Sequence, residues 1–322
     1  MKYRLLGKTN FTVSEIGLGT WPMGGGWGHR DDAQSVKTIK KCIDQGVTFI
    51  DTALAYGYGL SESLIKQALE QFQKRIYVAT KIPPKNNKWP ADLNSSLYDV
   101  FPPNWIMECT EKSLKNLGTD CIDLQQFHVW SDTWIPNDDL YDAMDKLHEA
   151  GKVKFFGISI NDHAPETALK AVKSGKFAVV QVIYNIFDQT PEQDLFSLCQ
   201  DMNVGVIVRV PFDEGALTGA FTYETKFTGK DWRKHYFTPA RLKQVVERVE
   251  ELKSLLNAGQ NISDLALRFC LSHPAVSSVI PGMRSEQNVT KNCAASDGNL
   301  LGKELMAKLR HFAWPESFSP IN

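Results

Sequence analysis

The stretch FIDTALAYGYGLSE, residues 49–62, joins an apolar strand directly to ionisable and glycine-rich chain. The apolar run that starts at Val47 ends on a carboxylate, Asp51, and Tyr56 follows five residues later with a glycine beside it. A helical pattern then begins near Ser61. A strand, a polar strand end and a helix in this order form one βα unit. In α/β folds, the C-terminal end of such a strand is where functional side chains collect.

The same alternation of apolar run and helical pattern recurs along the chain. The apolar runs are SEIGLGT (14–20), VTFIDT (47–52), RIYVATK (75–81), CIDLQQFH (121–128), VKFFGIS (153–159), FAVVQVIYN (177–185), VGVIVRVP (204–211) and SSVIPG (277–282). The helical patterns cover 32–45, 61–73, 103–117, 137–150, 163–174, 191–202, 263–273 and 285–295. Strands that are apolar on both faces and alternate with helices indicate a buried parallel sheet. An open doubly wound sheet would show the same pattern. The number of runs favours a (β/α)8 barrel, predicted as a single domain over residues 1–322.

Three segments extend this scheme. Residues 1–15, MKYRLLGKTNFTVSE, predict a short hairpin with a Gly-Lys-Thr-Asn turn before the first barrel strand. Residues 82–102 form a long connection after the third strand, which would cover the site as a lid. An amphipathic helix is predicted over 240–257 as an addition to the barrel, with another added helix near the C-terminus.

Composition excludes several classes of protein. The 322 residues are 43% hydrophobic and carry a net charge of −1, which does not favour nucleic acid or an anionic membrane surface as a partner. The six cysteines are scattered without metal-ligand spacing, so no metal site is expected and a reducing compartment is indicated. No secretory signal pattern and no apolar run of about 18 residues is present. We therefore expect a cytoplasmic protein.

Polar or ionisable residues close nearly all the apolar runs, each time at the same end. In order these residues are Thr20, Asp51, Lys81, His128, Ser159 with Asn161, Gln181, Arg209 and Pro281 with Gly282. The C-terminal ends of barrel strands meet at one face, where the active sites of such barrels lie. Chance placement would scatter charges over both ends and over the helices. The pattern therefore predicts a polar site at the mouth of an apolar barrel.

Each of these residues has an ordinary structural interpretation when it is taken alone. Asp51 could cap a turn, Lys81 could extend its ammonium to solvent, and His128 and Tyr56 could simply pack. Together they form a chemical set. Asp51 would keep the Lys81 ammonium charged, and that charge would lower the pKa of Tyr56 from its reference value of about 10. Tyr56 could then give a proton to a carbonyl oxygen that a neutral His128 orients, with hydride from a nicotinamide cofactor.

The motifs IDTALAYGYGLSE, VATK and LQQFHVW resemble those of the aldo-keto reductases. The likeness extends over the chain, from GLGTW through GISIN, QVIYN and EGALTG to VIPGMRSEQNVTKN. It implies a (β/α)8 barrel, usually monomeric, that reduces aldehydes and ketones with NADPH. It also implies Tyr56 as proton donor, Asp51 and Lys81 as the residues that tune its pKa, and His128 as the residue that orients the carbonyl.

The cofactor is expected to bind without a Rossmann motif. Gly17-Leu-Gly19 is followed by Thr, Trp and Pro, so the G-x-G-x-x-G fingerprint is missing. The resemblance implies an extended cofactor across the strand ends. Its carboxamide would be held by Ser159, Asn161 and Gln181, and its adenosine phosphate by the segment GMRSEQN, which begins at Gly282 and contains Arg284. Gln287, Asn288 and Asn292 are candidates for its adenine side. Arg284 favours NADPH, with NAD(H) left open.

The chain departs from the family pattern at two positions. Arg209 stands where many members place an aromatic residue against the nicotinamide ring, and a guanidinium can also stack on a ring. Ile160 separates Ser159 from Asn161, which many members have side by side, so which of the two reaches the carboxamide stays open.

The substrate is less well defined by the sequence. Tryptophans near the strand ends could stack on a sugar or aryl group, or could seal loops against the barrel rim: Trp21, Trp27, Trp89, Trp130 and Trp134. We expect a small carbonyl compound or a sugar as substrate. The alternatives are a cofactor-binding barrel that acts as a redox sensor or regulatory subunit with little turnover, and an aldolase in which Lys81 forms a Schiff base.

Overall fold

The first two strands form the predicted hairpin. Strands β1 (Tyr3–Leu5) and β2 (Thr12–Ser14) pair in antiparallel register. The turn between them contains a 3-10 segment, Gly7–Thr9, and then Asn10 with a φ of 59°. Asparagine tolerates this left-handed conformation better than most residues, which suits it to close the turn.

The eight predicted barrel strands are present. The computed structural model describes residues 1–25, 30–92, 94–229, 231–256 and 259–314. The strands are β3 (Leu18–Gly19), β4 (Phe49–Asp51), β5 (Tyr77–Ile82), β6 (Ile122–Phe127), β7 (Val153–Ser159), β8 (Val179–Ile183), β9 (Gly205–Arg209) and β10 (Val276–Val279). They pair in parallel and in chain order from β3 to β10. The two edges also meet through parallel bridges, Ile16 with Val279 and Gly19 with Gly282. The sheet is therefore closed, and the prediction of a (β/α)8 barrel is confirmed.

Helices surround this barrel. They are α1 (Asp32–Asp44), α2 (Leu60–Leu69), α3 (Leu97–Val100), α4 (Pro103–Leu117), α5 (Asp138–Glu149), α6 (Leu169–Lys173), α7 (Leu195–Asp201), α8 (Arg233–Tyr236), α9 (Pro239–Lys253), α10 (Ile262–Leu271), α11 (Glu286–Ala294) and α12 (Lys303–Arg310). The predicted segments 32–45, 103–117 and 137–150 match α1, α4 and α5 to within one residue at each end. Within the described ranges, no helix is long and apolar enough to cross a membrane.

The predicted helix over 163–174 is wrong in its first half. Pro165–Ala168 is a 3-10 segment, and α6 starts only at Leu169. The carboxylate of Asp132 accepts hydrogen bonds from the backbone N–H groups of Lys170 and Ala171, at 2.6 and 3.0 Å. A side chain from another loop thus caps the start of α6, which fixes its position.

The added helix predicted over 240–257 is α9, which ends earlier than predicted. Beyond Lys253 the N–H groups of Ser254, Leu255 and Leu256 bond to the carbonyl three residues before, at 3.0–3.1 Å, so the α-helix tightens into a 3-10 turn. Residue 257 lies outside the described residues. The second added helix, near the C-terminus, is α12.

The hairpin closes the N-terminal end of the barrel. Leu6 and Val13 pack in one buried cluster with interior residues of the barrel strands, namely Phe49, Ala79, Leu124, Val179, Ile207 and Ile280. This end is apolar and filled. The polar strand ends therefore lie at the opposite, C-terminal face, as predicted.

Candidate active site

Lys81 places an ammonium group inside the barrel mouth. It is on β5, its side chain is fully buried, and it donates to the Asp51 Oδ1 at 2.5 Å and to the Thr52 carbonyl at 2.8 Å. Its Nζ also lies 3.5 Å from the Tyr56 hydroxyl oxygen. The ammonium group of a lysine has three N–H donors, and each can point to one of these three oxygen atoms.

Two glutamines hold the other oxygen of Asp51. The Nε2 of Gln181 donates to Asp51 Oδ2 at 2.8 Å and the Nε2 of Gln126 donates to it at 3.1 Å. Gln181 also donates to Gln126 Oε1, at 3.3 Å. The predicted cofactor ligand Gln181 is therefore also part of the support of Asp51. With Lys81 on its other oxygen, the carboxylate is fixed in orientation.

Gln126 was not identified from the sequence, although a signal exists. Side chains alternate along a strand, and Leu124 and His128 both face the barrel interior, so Gln126 between them must face it too. Its neighbour Gln125 faces outward, where its Oε1 accepts from the Thr110 hydroxyl at 2.9 Å.

We expect Gln126→Leu to lower the free energy of unfolding by about 1.5–3 kcal/mol, because it removes a hydrogen bond to a buried carboxylate. The matched control is Gln125→Leu, which removes only a neutral hydrogen bond and should cost about 1 kcal/mol or less. Urea unfolding of both variants measures the difference. Equal losses would contradict a special role of Gln126 at Asp51.

Tyr56 is presented by a tight turn of left-handed residues. Gly57, Tyr58 and Gly59 follow with φ values of 65°, 56° and 92°. The turn packs against Gly24, where an added Cβ would lie only 2.6 Å from the Tyr56 carbonyl carbon. Glycine is therefore required at Gly24 for the turn to hold Tyr56 at the mouth.

His128 faces Tyr56 from the end of β6. The two rings are in an edge-to-face contact with centroids 5.5 Å apart, and the ring of Trp89 meets His128 edge to face at 4.6 Å. Burial lowers the pKa of His128 well below its usual range, and the positive charges of Lys81 and Arg209 lower it further. His128 is therefore neutral at physiological pH, as predicted.

The pKa of Tyr56 departs from the prediction. Burial raises this pKa above its usual range and the Asp51 carboxylate raises it further, against a smaller opposing effect of Arg209. The predicted lowering of this pKa is therefore wrong, because burial is the largest effect on the phenol. The Lys81 ammonium is bound to Asp51 at 2.5 Å and is 3.5 Å from the phenol. Tyr56 therefore holds its proton at neutral pH.

The residues predicted for the carboxamide fall into two groups. Ser159 and Gln181 are register partners on adjacent strands at the mouth, and both are buried. Asn161 has its amide paired with the backbone of Ala91 instead, at 3.1 and 3.2 Å. Arg209 donates through Nη2 to the Ile160 carbonyl at 2.9 Å and to Asp162 at 2.7 Å.

The residues predicted for the adenosine end of the cofactor precede α11 or lie on it. Ser285 caps this helix by accepting from the N–H of Asn288 at 3.2 Å. Arg284, Gln287 and Asn288 are exposed there, and Gly282 lies against Pro22. Asn292 is buried in the second half of α11.

The backbone after β9 is strained at residues that were not identified from the sequence. Val210, Asp213 and Glu214 have φ values of 54°, 43° and 55°, a region that non-glycine residues rarely occupy. Asp213 is anchored, since its carboxylate accepts from the Tyr236 hydroxyl at 2.6 Å. Burial and the neighbouring Asp213 raise the pKa of Glu214 to about 8. Strain of this kind is concentrated at ligand-binding sites.

The tryptophans divide between the two interpretations left open by the sequence. Trp130 and Trp134 are buried and pack against each other, so they seal the rim and do not line a pocket. Trp89 is 47% exposed beside His128, and Trp21 contacts Trp232 at a centroid distance of 5.5 Å. Trp27 lies outside the described residues.

Comparison with known proteins relates this barrel to one family. Residues 15–313 match the family model described as the Aldo/keto reductase family. The chain is 34% identical over 293 residues to the aldo-keto reductase YhdN of Bacillus subtilis (strain 168), which covers 88% of this chain and 85% of that protein. It is 30% identical over 312 residues to the NADH-specific methylglyoxal reductase of Escherichia coli (strain K12), with 93% and 95% covered.

A solved structure agrees with these matches. The aldo-keto reductase from Klebsiella pneumoniae in complex with NADPH gives a TM-score of 0.72 at 26% identity, covering 98% of this chain and 96% of that one. The fold and these matches define an oxidoreductase built on a (β/α)8 barrel. The chain belongs to the aldo/keto reductase family, whose members act on small carbonyl compounds.

Proposed function

We propose that this chain reduces the carbonyl group of an aldehyde, a ketone or a sugar with NADPH, and that Tyr56 is the general acid. The observation that carries the proposal is the set of contacts around Tyr56. The Lys81 ammonium lies 3.5 Å from its hydroxyl, and the neutral ring of His128 meets its ring at 5.5 Å. A proton donor, a cation and a neutral hydrogen-bonding group thus converge on one point of the barrel mouth.

Each of the four residues has its own role in the reduction of the carbonyl group. Tyr56 holds its proton at neutral pH and gives it up as negative charge develops on the carbonyl oxygen. Lys81 then stabilises the phenolate that remains, since its ammonium is already in position. Asp51 fixes Lys81 and neutralises it in the resting site. His128 can donate one N–H to the carbonyl oxygen and so orient it.

The chain's own polar atoms support a nicotinamide cofactor at this mouth. Among the described residues, Arg209 Nε and His128 Nδ1 are buried without a hydrogen-bond partner, and buried polar atoms in that state suit a bound polar group. When bound, the reduced nicotinamide supplies the hydride that no side chain can supply. Ser159 and Gln181 would hold its carboxamide, and Arg209 would stack on its ring.

The start of α11 would bind the phosphate end of the cofactor. The first N–H groups of a helix have no acceptor within the helix and favour anions. Arg284 adds a guanidinium beside them, with Gln287 and Asn288 exposed for the adenine, and Asn292 is assigned to the adenine side with them. The NADPH complex of the Klebsiella pneumoniae structure supports NADPH, whereas the E. coli relative is named NADH-specific. We propose NADPH as the preferred cofactor, with NADH also accepted.

We expect Arg284→Ala to weaken NADPH binding about 10- to 100-fold, the value of a charge-assisted hydrogen bond to a phosphate, and NADH binding by less than about threefold. Lys291→Ala, which removes an exposed cation from the last turn of the same helix, is the control and should change neither affinity. Fluorescence titration with both cofactors measures the effect. Equal losses for NADPH and NADH would remove the assignment of Arg284 to the 2′-phosphate.

The proposed function is tested by titrating the purified protein with NADPH and NADH, then following nicotinamide absorbance while a panel of aldehydes, ketones and aldoses is added. Tight binding with oxidation of the cofactor supports a reductase. Tight binding without turnover on any carbonyl compound would favour the redox-sensor alternative. Absence of binding would contradict both.

A further inference from the structure

We propose that Asn161 is a positioning residue for the substrate side of the site, and that it holds Trp89 against His128 instead of binding the cofactor. The mouth loop is the segment between β5 and α4, residues 83–102. Only the expected change in KM rests on the proposed function, because the hydrogen bonds between Asn161 and this loop are a property of the folded chain.

The anchor is a pair of hydrogen bonds to a single residue of the mouth loop. Asn161 Oδ1 accepts from the N–H of Ala91 at 3.1 Å, and Asn161 Nδ2 donates to the Ala91 carbonyl at 3.2 Å. The side-chain amide therefore pairs with the loop as a neighbouring strand would. Both residues are at least nine-tenths buried, so water does not compete well for these groups.

The rest of the mouth loop is held by other contacts. At the base of the loop, the Lys85 N–H donates a hydrogen bond to the Val100 carbonyl at 2.9 Å. In its later part, the Ser95 carbonyl accepts a hydrogen bond from the Trp134 indole N–H at 2.8 Å. The segment that contains Trp89 lies between these two hydrogen bonds. Asn161, which belongs to the loop after β7, reaches this segment from across the end of β6.

Trp89 is two residues before Ala91 and forms one side of the site next to His128 and Tyr56. Its ring stands at 86° to the His128 ring with centroids 4.6 Å apart, and His128 contacts Tyr56 on its other side. Nearly half of Trp89 remains exposed. A substrate that brings its carbonyl group to Tyr56 and His128 would meet this indole face, which suits an aryl group or the apolar face of a sugar.

The same pairing limits what Asn161 can do for a cofactor. Its oxygen and one of its amide hydrogens are paired with Ala91, so one N–H donor and one oxygen lone pair remain. We assign the carboxamide to Ser159 and Gln181, which are register partners on adjacent strands. Asn161 lies two residues beyond Ser159, the last residue of β7, and its amide faces the mouth loop.

The test compares Asn161→Ala with Ser159→Ala in the full-length protein. Hydrogen exchange of the peptide that covers residues 86–92 reports the anchor without any turnover, and NADPH titration reports the cofactor site. For Asn161→Ala we expect faster exchange in this peptide, NADPH affinity within twofold, and a KM for 4-nitrobenzaldehyde raised about tenfold with a much smaller change for propanal. Ser159→Ala should weaken NADPH and leave the exchange unchanged.

A second variant guards against misfolding. Asn161→Asp keeps the acceptor but loses the donor, so its exchange and KM should fall between those of the parent and Asn161→Ala. Unchanged exchange in residues 86–92, or a loss of NADPH affinity in Asn161→Ala equal to that in Ser159→Ala, would overturn the proposal. If the parent protein turns over no aldehyde, ketone or aldose, the proposed function fails, while exchange and cofactor affinity still decide the role of Asn161.

Discussion

Replacing Tyr56 with phenylalanine is expected to reduce carbonyl reduction by about 10²–10⁴-fold or more, since it removes the phenol proposed to give its proton to the carbonyl oxygen. NADPH affinity should stay within about twofold, because the substitution removes one hydroxyl and the aromatic ring that contacts His128 remains. Steady-state kinetics under saturating cofactor measure the rate, and fluorescence titration measures the affinity.

The same loop provides the control for this prediction. Tyr58 is two residues further on and fully exposed, so Tyr58→Phe should leave both the rate and the affinity unchanged. Near-parental reduction of aldehydes by Tyr56→Phe would show that the proton comes from another group.

Lys81→Met is expected to give the second large effect, on stability as well as activity. Lys81 and Asp51 are both buried, and removing one partner of a buried ion pair leaves an uncompensated charge, which costs about 3–5 kcal/mol. Activity should fall by at least about 10²-fold, because the phenolate of Tyr56 loses its neighbouring cation. Denaturant unfolding and steady-state kinetics measure the two losses.

Two further variants separate the causes. Adding Asp51→Asn to Lys81→Met removes the unpaired carboxylate, so stability should largely return while activity stays low. Lys154→Met breaks a half-exposed pair with Asp123 on the outside of the barrel and should cost about 1 kcal/mol or less. A Lys81→Met variant as stable as the Lys154→Met variant would contradict the description of a buried, functionally required ion pair.

Much of the fold and part of the site could be predicted, because in a (β/α)8 barrel both follow from the local alternation of apolar strands and helices. Asp51, Lys81 and His128 each end an apolar strand, and closure of the sheet brings such ends to one face, as the structure shows. Gln126 needed one more step, since it had to be placed inward by its two-residue spacing from Leu124 and from His128.

Other features depend on contacts that sequence spacing does not specify. The pKa of Tyr56 is raised by its burial and by the Asp51 carboxylate, and both depend on how the folded chain packs around the phenol. Asn161 and Ala91 are 70 residues apart. Asp132 likewise caps the start of α6 from a different loop.

The most direct test of the central claim is isotopic. The protein is incubated with NADPH that carries deuterium at the transferable position and with an aldehyde on which turnover is seen, and the alcohol product is analysed by mass spectrometry. The account predicts one deuterium on the carbinol carbon of the product from the parent protein and from Tyr58→Phe, with product formation nearly abolished in Tyr56→Phe. An alcohol product without deuterium, or labelled product formed equally fast by Tyr56→Phe, would contradict it.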